Sequence, residues 1–321
     1  CDFERVDGYF FGNKKNLKNE LKVMHSLGFR EVNLVKSPLD FHDIEKCLLF
    51  PWQAQFHVMK YLDGLARAII KNNGKIFTET HAEKIDSQGI TTDKGFRIKA
   101  KHVVVATNAP VNGNSLYLKQ AAYRTYVIAG LVPKDSIPMI LLWDTEEPYH
   151  YVRTQDYDNF SDLLIIGGED HRTGQKNDGR KRYLVLEKWA RKIFPMMKDI
   201  VFRWSGQVLE STDGLAFIGK NPGSENKNIY IVTGDSGSGM THGTIAGMLI
   251  SDLILGKKNP WGKIYDPRRN VLNKKFLKEN LNTAEQYFDW FKIDSIHQKM
   301  KNGEGTILQS GLKKVAAFKD K

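Results

Sequence analysis

Cysteine is nearly absent from this 321-residue chain, occurring only as Cys1 and Cys47. Two thiols exclude a disulfide framework, give no metal-ligand spacing, and fit a reducing compartment. Long hydrophobic runs are missing as well. No apolar stretch approaches the ~20 residues that cross a bilayer, and no signal-peptide pattern is present, so a cytoplasmic protein without a membrane span is expected. Runs of one charge are short. Lysine and arginine number 48 against 37 acidic residues, a formal net charge of +11. The excess is scattered in clusters such as Arg180-Lys181-Arg182 and Lys274-Lys275. Solvated faces explain it better than a nucleic-acid surface, and a basic protein attracts anionic substrates or cofactors. The fingerprint G-x-G-x-x-G with a downstream acidic residue is absent, and so is a Ser-His-Asp set or a carboxylate pair. The first residue is not methionine, which suggests a piece of a longer protein. What is present is ordinary for a globular protein: 26% charged and 41% hydrophobic residues, and length enough for two domains.

The most informative stretch is Ile229–Gly256. A β-branched run, Ile229-Tyr230-Ile231-Val232, reads as a buried strand. A turn with Gly234, Gly237 and Gly239 follows, then an apolar helix that starts near Met240 or Thr241 and ends at Gly256. Glycine lets backbone N–H groups approach a ligand that a Cβ would block. A helix N-terminus adds unpaired donors and partial positive charge. Such a turn suits a phosphate, an electron-rich carbonyl or an anionic ring; the alternative is a tight strand-to-helix turn with no ligand.

Along the rest of the chain, a strand at 8–11 precedes a helix at about 14–27. Leu48-Leu49-Phe50-Pro51 closes this region in an extended or turn conformation. Residues 54–73 give the clearest helix, with Val58, Tyr61, Leu62, Leu65, Ala66, Ile69 and Ile70 on one face expected to be buried, and Asn73-Gly74 as its stop. Strand-like pieces follow at Lys75–Thr80, Ala82–Ile85, Gly89–Thr92 and Phe96–Ile98, then a buried strand, Val103–Ala106, ending in Thr107-Asn108-Ala109-Pro110. That order suits a dinucleotide-binding sheet returning after an inserted hairpin. Residues 120–220 carry six strand-like pieces and a helix at 180–193, which points to an antiparallel or mixed sheet, with a loop at 167–174. A further amphipathic helix is expected at 274–292, and two short strands in the tail from Ser295.

Three pieces converge: Val103–Pro110; Trp204-Ser205-Gly206-Gln207 with Thr212-Asp213-Gly214-Leu215-Ala216-Phe217-Ile218-Gly219; and Ile229–Gly256. Together they resemble the FAD-dependent oxidoreductases of the D-amino-acid-oxidase and glycine-oxidase (DAO) family over about residues 1–265. The likeness is greatest to members with a C-terminal Rieske [2Fe-2S] domain, whose opening strands the tail at 295–321 resembles. The resemblance implies an α/β fold: an incomplete, Rossmann-like FAD-binding domain at 51–115 and 227–270, lacking its N-terminal βαβ unit. An α+β substrate domain on an antiparallel or mixed sheet would take 1–50 and 116–226, with a linker helix at 271–294. It implies FAD as cofactor, a [2Fe-2S] centre only in a longer chain, and no metal here, since no Cys-x-His pair is present. It also implies a small amine or amino-acid substrate, oxidised at a C–N bond by hydride transfer to flavin, and an electron-acceptor protein as partner.

By the same resemblance, Ala82 and Glu83 would lie near the adenosine end, and Thr107, Asn108 and Ala109 would border the FAD. Gly234, Asp235, Ser236, Gly237, Ser238, Gly239, Met240 and Thr241 would face the isoalloxazine and ribityl chain. Two departures stand out. The fingerprint glycines that would hold the pyrophosphate are missing, so this chain alone is expected to bind FAD weakly or not at all and to be inactive. The arginine that amino-acid oxidases place after Trp-x-Gly is replaced by Gln207-Val208-Leu209-Glu210, with Arg124 or Arg203 as substitutes or surface residues. No catalytic residue is assigned; His242, Tyr126 and Gln207 are the candidates. Tyr123, Tyr126, Tyr149 and Tyr151 either line a pocket over the flavin or fill the sheet. Alternatives are another FAD- or NAD(P)-linked dehydrogenase, or a non-catalytic binding module that has lost its cofactor.

Overall fold

The computed structural model describes residues 1–39, 44–111, 114–176, 178–222 and 228–271, residue 302, and the backbone of 305–310 and 313–318. In chain order the first elements are β1 (Glu4–Phe11), α1 (Lys14–Ser26), β2 (Asn33–Lys36), β3 (Lys46–Gln55) and α2 (Val58–Lys71). A meander follows, β4 (Ala82–Asp86), β5 (Gly89–Thr92) and β6 (Arg97–Lys99), then β7 (Val103–Val105) and the single turn α3 (Asn114–Tyr117). The middle of the chain supplies β8 (Gln120–Pro133), β9 (Ile140–Asp144), β10 (His150–Asp156), β11 (Ser161–Arg172), α4 (Gly179–Ile193) and β12 (Ile200–Ser211). Last come β13 (Phe217–Lys220), β14 (Ile229–Thr233), α5 (Gly239–Ile254), α6 (Gly262–Tyr265) and a hairpin, β15 (Gly305–Ser310) with β16 (Lys313–Phe318).

Eight strands form one sheet in the order β12-β8-β11-β10-β9-β1-β3-β2. Every neighbouring pair is antiparallel except β1 with β9. One face of this sheet is covered by α4. Alternation along the strands sends Ile128, Leu142, Val152, Leu164 and Ile166 to that face, where Leu186, Ala190 and Phe194 meet them in the main core. Helix α4 has i,i+4 ion pairs Asp178–Arg182 and Glu187–Arg191 along its length and stops ahead of Pro195, whose ring disfavours helical geometry at Phe194.

The second sheet is small, β13-β14-β7, with β14 parallel to β7. Val103, Val105, Ile229 and Ile231 pack with Phe217 on one side, and Ile85 and Ile90 of the meander join them. Ile218, Tyr230, Ala246, Leu249 and Ile250 form the other side, under α5. No helix of the described residues is long and apolar enough to cross a membrane.

The structure departs from the sequence reading in four places. Residues 75–80 form no strand. Strand β3 has the extended conformation expected at Leu48–Pro51 but runs on to Gln55, over the expected start of the helix at 54, with a bulge that places Pro51 and Trp52 opposite Asp7. Residues 167–172 are not a loop but the end of β11. Helix α2 forms with its expected stop at Asn73 and Gly74, but its apolar face is not buried: Val58, Leu62, Leu65, Ile69 and Ile70 are 40–61% exposed. The helix expected at 274–292 lies outside the described residues.

A stripe of helical period signals a surface shaped for a partner, and five large apolar side chains in solvent make an adhesive patch. The isolated chain is therefore expected to bind the dye ANS. Replacing Leu62 and Ile69 with lysine is expected to lower that fluorescence with the far-UV circular dichroism unchanged. Equal dye binding by the double variant would show that the patch is not the site.

Candidate functional site

The turn after β14 is built from backbone that only certain residues tolerate. Gly234 and Gly237 have φ of +71° and +79°, and Ser236 between them has φ +50°. A Cβ on Gly234 would stand 2.8 Å from Gln120 Oε1, so the turn presses directly on β8. The same turn is sewn to the end of β12. Ser236 N–H donates to the Leu209 carbonyl at 3.0 Å, Ser211 N–H donates to Ser236 Oγ at 3.1 Å, and Glu210 bridges to Asp235.

The turn after β7 joins this junction. Asn108, itself at φ +60°, donates from Nδ2 to the Gln207 carbonyl at 3.3 Å. The Thr233 hydroxyl donates to the Asn108 carbonyl at 2.6 Å, and the Thr107 hydroxyl to the Ala109 carbonyl at 2.7 Å. The carboxyl ends of two parallel strands thus meet the last turns of β12, the position at which open α/β sheets receive ligands.

Behind the turn, α5 begins without a cap: Ser238 makes no side-chain bond to the helix. Gly237, Ser238, Gly239, Met240 and Thr241 are all exposed. The leading N–H groups of a helix lack intrahelical acceptors, and here no capping side chain satisfies them. The helix therefore offers donors and positive potential to an electron-rich group.

The eight-stranded sheet has a second face, turned away from α4, and register identifies its residues. Tyr151 pairs with Gly167, and a Cβ there would strike the Tyr151 ring, so glycine makes room for the aromatic. A bulge between Gly168 and His171 sets Glu169 and Asp170 against the single residue Thr125. Glu169, at φ +57°, turns toward α4 and pairs with Arg182 at 3.2 Å. Asp170 turns the other way, toward Thr125, Tyr149 and Tyr151. Burial pushes the Asp170 carboxyl above the usual range; Thr125 and His171 oppose the shift, while Glu210 and Glu169 add to it. Burial likewise raises Tyr151, next to which Asp170 adds its charge. Tyr149, 44% exposed, stacks loosely on Tyr151 with ring centroids 6.0 Å apart.

The three side chains considered for catalysis hold other parts of the fold. His242 is buried and donates from Nδ1 to the Asp235 carbonyl at 2.9 Å, pinning the turn from behind. Tyr126 is buried on the α4 side, where its hydroxyl donates to His171 Nε2 at 2.9 Å, since His171 Nδ1 is already donating to the Arg172 carbonyl. Gln207 pairs with Arg124 on the side that holds Tyr126, and it is the Gln207 carbonyl that binds Asn108. Arg124 bonds Ser205 Oγ at 3.1 Å and Arg203 pairs with Glu187 of α4 at 3.2 Å, so neither guanidinium turns to the open face. Ala82 and Glu83 open β4, in the meander. Sequence reading passed over Asp170, placed inside a supposed loop; the glycines at 167 and 168 within an apolar alternation were the available signal.

A clamp braces the turn from the far side. Arg269 donates to both oxygens of Asp213 at 2.8 Å and to the carbonyls of Leu215 and Ala216, and its guanidinium lies 4.0 Å from the centre of the Phe217 ring. Neither of two larger cavities includes a residue of the 234–241 turn. One, of about 440 Å³, lies between α1 and α4 beside Lys14 and Lys192; the other, of about 700 Å³, lies around Arg153 and His57.

Comparison with known proteins defines the class. Residues 1–253 match the family described as FAD dependent oxidoreductase, DAO, and the chain belongs to that family. It is 29% identical over 336 residues to the putative Rieske 2Fe-2S iron-sulfur protein YhfW of Bacillus subtilis (strain 168), an alignment covering 100% of this chain and 65% of that protein. It is 28% identical over 219 residues to the gamma-glutamylputrescine oxidoreductase of Escherichia coli (strain K12), covering 62% of this chain and 48% of that one. The chain thus spans 65% and 48% of the length of these curated relatives. The fold is shared with L-proline dehydrogenase from P. horikoshii, at TM-score 0.67 and 19% identity over 84% of this chain and 77% of that one. Glycine oxidase from Bacillus cereus ATCC 14579 shares it at TM-score 0.65 and 15% identity, over 80% of this chain and 75% of that one.

Asp213 connects the clamp to pH. Burial alone would raise its carboxyl, but the hydrogen bonds and charge of Arg269 outweigh this and hold it below the ordinary value. A depressed carboxyl stabilises the fold above its unfolded pKa and loses that contribution as pH falls through the folded value. Asp213→Asn is expected to cost on the order of 1–2 kcal/mol at neutral pH. Thermal melts of both proteins between neutral pH and pH ~3 should converge on the acid side; a gap independent of pH would contradict the assignment.

Proposed function

We propose that this chain supplies the flavin-ring and substrate side of an FAD-dependent oxidoreductase that oxidises a C–N bond of an amine or amino acid. The observation that carries the reading is the uncapped N-terminus of α5, exposed at a glycine turn that is sewn to the substrate-type sheet. The family supplies the cofactor. The names of related proteins, gamma-glutamylputrescine oxidoreductase, L-proline dehydrogenase and glycine oxidase, support the substrate class.

In this reading the 234–241 turn and Thr107, Asn108 and Ala109 hold the ring end of FAD, and Ala82 and Glu83 lie toward its adenosine end. The bound flavin supplies a two-electron acceptor for hydride. The chain's own part is electrostatic. Backbone N–H groups of Gly239, Met240 and Thr241, with the α5 dipole behind them, stabilise negative charge that develops at the ring edge. Gly237 leaves open space where a Cβ would stand, the Asp235 carboxylate lies against Gly239, and His242 keeps the turn in place through the Asp235 carbonyl. The name of the Bacillus subtilis relative and the β15–β16 hairpin support an iron–sulfur centre in a longer protein as electron acceptor.

Titration of the purified protein with FAD, followed by flavin fluorescence, tests the cofactor site. Saturable quenching is expected, and Gly239→Val, which adds a branched side chain at the helix start, is expected to weaken it by about tenfold or more without changing the far-UV spectrum. Anaerobic addition of amines and amino acids should then bleach the flavin band. Lack of uptake by the full-length parent protein as well would sink the cofactor assignment, and uptake without bleaching by either class would sink the substrate assignment.

A further inference from the structure

We infer that Asp170 receives the ammonium group of the substrate, and that the substrate is a cationic alkylamine rather than one held through an α-carboxylate. The inference rests on the proposed site and adds its substrate class.

Four observations support it. First, Asp170 Oδ1 is buried and makes no hydrogen bond at bonding geometry among the described residues, and the neighbouring Thr125 hydroxyl offsets its burial only in part. A carboxylate oxygen removed from water without a donor is costly, and a substrate ammonium brings up to three donors to it. Second, the Asp170 bulge exists only because β11 inserts an extra residue against Thr125, a device that re-aims a side chain at the expense of sheet regularity. Third, Tyr149 and Tyr151 lie close enough for the Asp170 charge to act on both, and aromatic rings beside a carboxylate suit a cationic head with an alkyl body. Fourth, the cluster adjoins the flavin-side turn. Tyr149 also feels the charge of Glu210, which bridges to Asp235.

Two of the cations on hand are turned away from the open face. Arg124 and Arg203 are committed to Ser205 and Glu187. Arg172, on the same face as Asp170, lies over the Tyr123 ring and has other interactions. The position after Trp204-Ser205-Gly206 is Gln207, whose side chain points to the α4 side.

The chemistry needed is a proton transfer. An amine bound as R–CH2–NH3⁺ has no lone pair to assist loss of hydride from carbon. One N–H bond breaks, an O–H bond forms on the Asp170 carboxylate, and the nitrogen keeps the electron pair. Burial already favours the protonated form of Asp170, which makes it a competent acceptor.

Asp170→Asn is the test, with butylamine, 2-aminopentanoate and butyrate as probes of binding by calorimetry, in the presence and absence of added FAD. Wild-type protein should bind butylamine, and the variant should bind it at least about tenfold more weakly. The ligand-free variant should melt at the same temperature or higher, because a carboxylate disfavoured by burial opposes folding above its unfolded pKa. Equal butylamine affinity in both proteins overturns the role of Asp170, as does a large drop in the ligand-free melting temperature. Tighter binding of 2-aminopentanoate or butyrate than of butylamine overturns the substrate class. Failure of FAD uptake by the full-length parent protein as well, with butylamine binding intact, would overturn the proposed function and leave this inference standing.

Discussion

The short seam between the Gly234–Thr241 turn and the last residues of β12 is the constraint on which the site depends. It joins the contacts of Thr233 with Gln120 and of Asn108 with Gln207 in tying the small sheet to the large one. With it, the end of the parallel pair β7–β14 and the face of the eight-stranded sheet are held at one fixed separation. Each seam bond is modest, about 1 kcal/mol net. Their effect is geometric: Asn108, Ser211, Thr233 and Ser236 leave the turn one conformation, and the positive φ values at Gly234, Ser236 and Gly237 are stable only because that conformation is over-determined.

From that seam the division of labour follows. The α4 side of the large sheet is closed by an apolar core and by buried polar pairs, Tyr126 with His171 and Asp144 with His150, whose imidazole also stacks on Trp189 at 4.2 Å. Polar pairs engaged in this way help to specify a core. The other face keeps a carboxyl oxygen without a donor at bonding geometry, with Tyr149 nearly half in solvent. One bulge in β11 separates the two environments, since it sends Glu169 to one side and Asp170 to the other.

The turn at 234–241, the strand before it and the helix after it were legible in the sequence because each has a local cause. The β-branched run favours a strand, the glycines allow left-handed backbone, and an unbroken apolar run favours a helix. The alternating strands of residues 120–211 were legible for the same reason. The roles of His242, Tyr126 and Gln207 were not, because side-chain facing in a sheet depends on register and on bulges, and a single extra residue at 168–171 changes it. Asp170 was hidden for that reason. The amphipathic stripe of α2 was read correctly as a helix, but whether its face is covered depends on what packs against it, and no described residue buries it.

By itself the sequence determined the period of each element, the glycine turn with the helix that follows it, and the family, since these depend on neighbours within a few positions and on motif spacing. The tertiary structure alone decided which residues share the site. Asp170, Tyr149, Glu210, Asn108 and the 234–241 turn come from five separate stretches, and their meeting is set by strand pairing across the β8–β12 and β8–β11 registers. Those registers are long-range: they follow from the burial of one sheet face under α4, which no local pattern encodes.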